Sequence, residues 1–185
     1  PFETDLAGAK CLILWGMNPG ASTLGGMNGY TDLQKNGLKI VVVDPRYSET
    51  ASKADLWLPL RPGTDAALAL GMMKVIIEED LYDHEFVDNW CYGFDELAER
   101  CKEYPVELAA EIAGVEAEDI RKAARLFASG NPSTIQWGLK VDQTVCGIPL
   151  AQGLLSMGAI CGDIDVPGGM MIPRCAYDIP DSYGC

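Results

Sequence analysis

Apolar and polar positions along the chain alternate between two textures. Short runs are apolar at nearly every position, and longer runs repeat at helical spacing. "AKCLILWG" (9–16) and "LKIVVVD" (38–44) are of the first kind, the second rich in β-branched residues. That pattern predicts parallel strands covered on both faces. "DLWLPL" (55–60) and "STIQWG" (133–138) read as a third and fourth strand. Between them, 28–37 reads as a helix ending at Gly37 and 48–54 as a short helix. The stretch 64–81 carries the strongest helical periodicity. Further helices are expected near 83–90, 94–104, 105–113 and 116–129. A last helix over 146–161 closes at "GDIDVPGG" (162–169). The order strand, helix, strand, short helix, strand, helix predicts an α/β fold with an open, mostly parallel sheet. The all-helical stretch 82–130 reads as a cap or an elaborated crossover inside one domain spanning 1–185. No repeat or low-complexity segment interrupts it.

In open parallel sheets ligands sit beyond the carboxyl ends of the strands, so the residues after each strand carry the candidate chemistry. After the first strand come Gly16, Asn18, Pro19, Gly20 and Ser22. The glycines permit close backbone approach, and Asn18 and Ser22 supply short polar side chains. The loop leads into a helix, whose first N–H groups attract anions. The competing reading is a plain strand–helix turn. After the second strand come Asp44, Pro45 and Arg46. An acid there can accept both ribose hydroxyls, and Arg46 offers a planar fork for phosphate or a face for stacking. Equally, Asp44 can cap the next helix and Arg46 can be solvated. After the third strand, "RPGTD" places Thr64 or Asp65 as N-cap of the long helix. Asp65 also stands at the strand-end face, where a carboxylate matches the adjacent N1–H and N2–H₂ donors of guanine. The coincidence of the three loops says more than any one.

Charge restricts the partners. Net charge is −13, which argues against nucleic acid or an anionic membrane surface. Any bound anion therefore needs local donors and a few cations against the overall field. No apolar run reaches the roughly 20 residues of a membrane span. The start, "PFETDLAGAK", lacks a Met and the basic-then-apolar order of a secretory signal, and the chain reads as excised from something larger. Together these predict a soluble domain without membrane insertion. Seven cysteines, at 11, 91, 101, 146, 161, 175 and 185, include no C-x-x-C and read as buried thiols of a reducing compartment. Zinc or iron–sulfur ligation requires closer spacing. The single histidine, His84, lies on the polar face of a predicted helix and reads as solvated.

"WGMNPGAS", "VVVDPRYSETASKADLWLPLRPGTDAALALGM" and "GDIDVPGGM" resemble the molybdopterin oxidoreductases of the dimethyl sulfoxide reductase family, over about residues 9–170. The block 40–72 is the most specific. The resemblance implies a Rossmann-like three-layer domain holding the guanosine end of one molybdopterin guanine dinucleotide, with Mo or W on the pterin. By matching position it implies Gly16, Asn18 and Ser22 on the diphosphate side and Asp44 on the ribose. Val43, Pro45 and Arg46 would line the nucleotide, and Gly63 and Asp65 would meet the guanine. "WGLKVDQ" (137–143) matches a loop near the pterin, with Lys140 where many members have Gly and Gln143 as a weaker candidate.

The resemblance also implies what lies elsewhere in such a parent protein. That includes the iron–sulfur cysteines, the metal's protein ligand and the domain gripping a second cofactor. Partners are then the missing N- and C-terminal domains of the same chain and electron-transfer subunits, in a prokaryotic cytoplasm or periplasm. The isolated domain is expected to be inactive. Two other functions compete. One is a cofactor-free structural domain like that of the large peripheral subunit of NADH:quinone oxidoreductase. Such a domain tolerates loss of Asp44, Arg46 and Asp65, which are all present here. The other is a nicotinamide dehydrogenase, which requires the G-x-G-x-x-G that "GMNPGA" lacks.

Overall fold

In the computed structural model, which describes residues 3–23 and 25–172, the four apolar runs line up as one sheet. Along the chain the elements are β1 (Glu3–Thr4), β2 (Cys11–Trp15), α1 (Pro19–Ser22), α2 (Asn28–Lys35), β3 (Lys39–Val43), α3 (Glu49–Ser52) and β4 (Leu56–Leu58). Then follow α4 (Asp65–Glu78), α5 (His84–Trp90), α6 (Phe94–Lys102), α7 (Val106–Ala113), α8 (Ala117–Gly130), β5 (Ser133–Trp137), α9 (Leu139–Asp142), α10 (Gly147–Ile160) and β6 (Met170–Met171). The main sheet has the order β4-β3-β2-β5, every pair parallel. β1 and β6 form a separate antiparallel ladder.

The period-2 geometry of a strand sorts each apolar run onto both faces of the sheet. Ile13, Trp15, Val41, Val43 and Ile135 join Leu68, Met72 and Ile76 of α4, Phe127 of α8 and Leu154 of α10 in one core. Leu12, Leu14, Ile40 and Val42 face the other way, onto Met27, Leu38, Ala51 and the flank of α2. This is why β2 and β3 read as continuously apolar: both sides are covered. The fold is therefore a Rossmann-like, three-layer α/β arrangement, as the sequence predicts. Four short elements, β1, α1, α9 and β6, were not expected, because two to four residues are too few to show a period.

The segment between β4 and β5 runs through α4 to α8, with α6, α7 and α8 packed against α4. The α4–α7 contact is close: a Cβ at Gly71 would lie 2.6 Å from the Cβ of Ala109. Gly71→Ala is expected to lower stability by about 1–3 kcal/mol, because overpacking outweighs the ~1 kcal/mol gain in helix propensity. Urea denaturation of the two proteins checks this.

Candidate functional site

From β2 the chain moves outward to β3 and β4, then crosses back to place β5 on β2's other side. The carboxyl ends of β2 and β5 thus flank a topological switch point, where such sheets bind ligands. A cleft of about 920 Å³ opens there, lined by Gly16, Asn18, Ser22, Trp137, Gly138 and Lys140 among others. Two glycines shape its floor. Gly16 has φ +58° and donates its N–H to the Val43 carbonyl at 2.8 Å. Gly138 donates to the Trp15 carbonyl at 3.0 Å, and a Cβ on it would stand 2.3 Å from the Gly16 carbonyl oxygen. The two strand ends can approach this closely only because Gly138 has no side chain.

The loop after β2 is tied from below by α3. Thr50, fully buried, accepts the Gly20 N–H at 3.1 Å and donates to Asn18 Oδ1 at 2.6 Å. The first N–H groups of α1, a short helix inside the loop that the sequence reading did not expect, are already engaged. Gly20 N–H is held by Thr50, and the N–H groups of Ala21 and Ser22 are held by the Asn18 carbonyl. The physical reason is length, since the four-residue α1 closes its own turn. Ser22 also donates its hydroxyl to the Asn18 carbonyl at 2.9 Å, so it serves an anion only after its rotamer turns. Lys140, exposed on α9, is, among the described residues, the one cation lining the cleft.

The other two strand ends lie beside this cleft along the same sheet edge. Asp44 is half-buried and spends Oδ1 on the Arg46 N–H at 2.8 Å. It closes its own turn and does not cap α3, whose N-cap is Ser48. Pro45 and Arg46 are exposed. The side chain of Val43 is fully buried in the core, so its backbone is what faces the strand end. Thr64 occupies the N-cap position of α4, but its hydroxyl donates to the Arg61 carbonyl at 2.7 Å. Asp65 caps nothing through its side chain. It receives the indole N–H of fully buried Trp15 at 2.9 Å, which ties the start of α4 to the end of β2. Gly63, at φ +88°, is exposed with open space around it. Gln143 is exposed at the end of α9 and does not line the cleft.

The remaining titratable groups are placed elsewhere. His84 is exposed and pairs with Asp80 at 2.9 Å. Cys11, Cys101 and Cys161 are buried, as the sequence reading supposes, but Cys91 is half-buried and Cys146 exposed. Cys175 and Cys185 lie outside the described residues. Burial pushes the Cys11 thiol up to about 12 and the Cys101 thiol up to about 11, which makes both poor nucleophiles. Among the described residues no group of three or more His, Cys, Asp or Glu could hold a metal ion. No described helix is long and apolar enough to cross a membrane.

A parallel sheet with a cleft at its switch point defines the class: a Rossmann-like α/β domain whose candidate site lies at the sheet's carboxyl edge. A family model described as molybdopterin oxidoreductase matches residues 2–173. The acetylene hydratase of Syntrophotalea acetylenica is 48% identical over 156 residues, covering 82% of this chain and 21% of that protein. Formate dehydrogenase H of Escherichia coli is 37% identical over 165 residues, covering 89% of this chain and 22% of that one. The solved structure of acetylene hydratase from Pelobacter acetylenicus matches with a TM-score of 0.85 and 42% identity, over 93% of this chain and 24% of that one. The chain belongs to the molybdopterin oxidoreductase family, and that family implies a molybdenum or tungsten pterin cofactor. It spans between a fifth and a quarter of the length of these relatives.

Proposed function

We propose that this chain is a single cofactor-binding domain of a larger molybdenum- or tungsten-dependent oxidoreductase, holding the nucleotide end of a molybdopterin guanine dinucleotide. The observation that carries the reading is the charge of the cleft. The chain has 27 Asp and Glu against 14 Lys and Arg, yet among the described residues those lining this cleft include one lysine and no carboxylate. A diphosphate fits such a place, and the strand-end glycines leave room for its approach. When bound, the pterin's metal supplies the redox chemistry; the protein supplies binding, orientation and local electrostatics.

Under this reading Lys140 and the Nδ2 donors of Asn18 meet phosphate oxygens, and Ser22 joins them after a rotamer change. Asp44 retains Oδ2 for the ribose hydroxyls. Asp65 retains Oδ2 and a lone pair of Oδ1 for guanine, while Trp15 holds the carboxylate in place. The missing domains of the same polypeptide, and any electron-transfer subunits, complete the reaction centre. The fragment alone has no activity. The coverage of its relatives supports that partition.

Mass spectrometry of nucleotide released from the purified full-length protein tests the reading. Guanosine monophosphate is expected, in lower yield from Lys140→Ala after gel filtration at raised salt, since screening weakens what remains of the anion site. A protein carrying no nucleotide, as the structural-domain alternative requires, or one carrying a different base, overturns it.

A further inference from the structure

We propose that Thr50 is a positioning residue for the cofactor. Its hydroxyl sets the Asn18 amide so that the loop after β2 presents donors to an anionic oxygen. This rests on the reading of the cleft as the diphosphate site.

Thr50 sits on α3, beyond β3, whereas Asn18 follows β2; the contact joins two strand ends that the sequence separates. A hydroxyl has one proton and two lone pairs. Thr50 uses one lone pair on the Gly20 N–H. Its 2.6 Å contact with Asn18 has the length of an O–H···O bond, shorter than an N–H···O bond normally is. The proton therefore goes to Asn18 Oδ1. With the amide reversed, that proton would need another acceptor, and among the described residues Thr50 donates to no other. Thr50 has no exposure to water that could take its place.

Asn18 lines the cleft, and with Oδ1 committed its remaining capacity is two N–H donors. The neighbouring groups do not duplicate them. Pro19 has no N–H, the N–H groups of Gly20, Ala21 and Ser22 are engaged, and the Ser22 proton is on a carbonyl. Among the described side chains of this loop, the donor offered to the cleft is thus the Asn18 amide, and Thr50 sets its orientation. Gly20 belongs to the same device, since a Cβ there would come within 3.1 Å of the Thr50 hydroxyl.

The test measures nucleotide retained per polypeptide in the full-length protein after gel filtration, by mass spectrometry. Thr50→Val keeps the shape and removes the hydroxyl; about a tenfold loss of retention is expected, the equivalent of one hydrogen bond. Thr50→Ser is expected to stay within about twofold of wild type, since it keeps the same donor and acceptor. In an Asn18→Ala background Thr50→Val is expected to add nothing, because the two act through one contact. An equal loss in both backgrounds marks a merely structural role and overturns the proposal, as does failure of Thr50→Ser to rescue. Asn18→Asp leaves Thr50 untouched, keeps Oδ1 and replaces the donors with an acceptor. Its retention is expected to fall below that of Asn18→Ala, and equality overturns the proposal even if Thr50→Val folds poorly. Full retention in both Asn18→Ala and Lys140→Ala overturns the cleft reading and this inference with it. Full retention in Thr50→Val alone overturns only the role of Thr50.

Discussion

Full-length protein carrying Gly138→Ala is expected to purify with less than about a tenth of its nucleotide cofactor and to unfold at lower urea concentration. The added Cβ would fall 2.3 Å from the carbonyl oxygen of Gly16, with the Met17 Cα at 3.6 Å. Both neighbours are backbone, so no rotamer change can relieve the contact. Either β5 draws away from β2 and loses the Gly138 N–H bond to Trp15, or the Gly16 loop shifts into the cleft. Overpacking of this kind costs about 1–3 kcal/mol, and more where the obstacle is main chain. Conformation is not the cause, because Gly138 has φ −85°, which any residue adopts. Gly16 is the opposite case. Its φ is +58° and nothing lies within 4 Å of a Cβ there, so Gly16→Ala is expected to cost only the roughly 1 kcal/mol of a left-handed alanine. Mass spectrometry and urea midpoints of the two variants separate the mechanisms. Wild-type cofactor content in Gly138→Ala would show that the two strand ends need not approach so closely.

What could be read from the chain follows a physical line. β2 and β3 were legible because their residues are covered on both faces, and runs of five and four buried positions leave an unambiguous trace. Strand ends then pointed to Asn18, Asp44 and Asp65 as candidates, and the resemblance added Lys140. The supports of those residues were not legible. Thr50 reads as an ordinary helix residue until α3 is folded against α1. Trp15 reads as core, and only the fold brings its indole N–H to Asp65. Gly138 looks like any glycine after a strand; its meaning is a distance to Gly16 that no local pattern encodes. Val43 shows the converse limit. A resemblance assigns it to the nucleotide by position; the pleat turns its side chain into the core and leaves its backbone at the strand end. Single-sequence reading finds where groups stand along a strand. It does not find which bonds those groups have already spent.

Asp163→Asn is expected to make the folded protein more stable at neutral and alkaline pH, against the usual outcome for a core substitution. Asp163 stands at the amino edge of the sheet, away from the cleft, with no exposure to solvent. Its Oδ1 accepts the Ser133 N–H at 2.8 Å, while Oδ2 has no partner among the described residues. Burial pushes this carboxyl up to about 7; the Ser133 bond opposes the shift, and nearby Asp83 adds to it. An unfolded chain releases the same proton near the ordinary value of about 4. Below that value both states hold the proton and the folded state keeps its full stability. Between about pH 4 and 7 the unfolded chain gains free energy by ionising and the folded one does not. Stability is therefore lost as pH rises, by about 1.4 kcal/mol per unit, and the loss levels off above the folded value. Asparagine keeps the oxygen for Ser133 and removes the charge, so the gap between variant and wild type should widen from pH 5 to 7 and then stay constant. Urea midpoints at pH 5, 6, 7 and 8 measure it, and taking the difference cancels every other titrating group. Parallel profiles would mean that Asp163 is ionised in the fold. The surroundings argue against that: the charged side chain that acts on it is Asp83, and neither Asp83 nor the nearby thiols Cys11 and Cys161 can supply the positive charge a buried carboxylate requires.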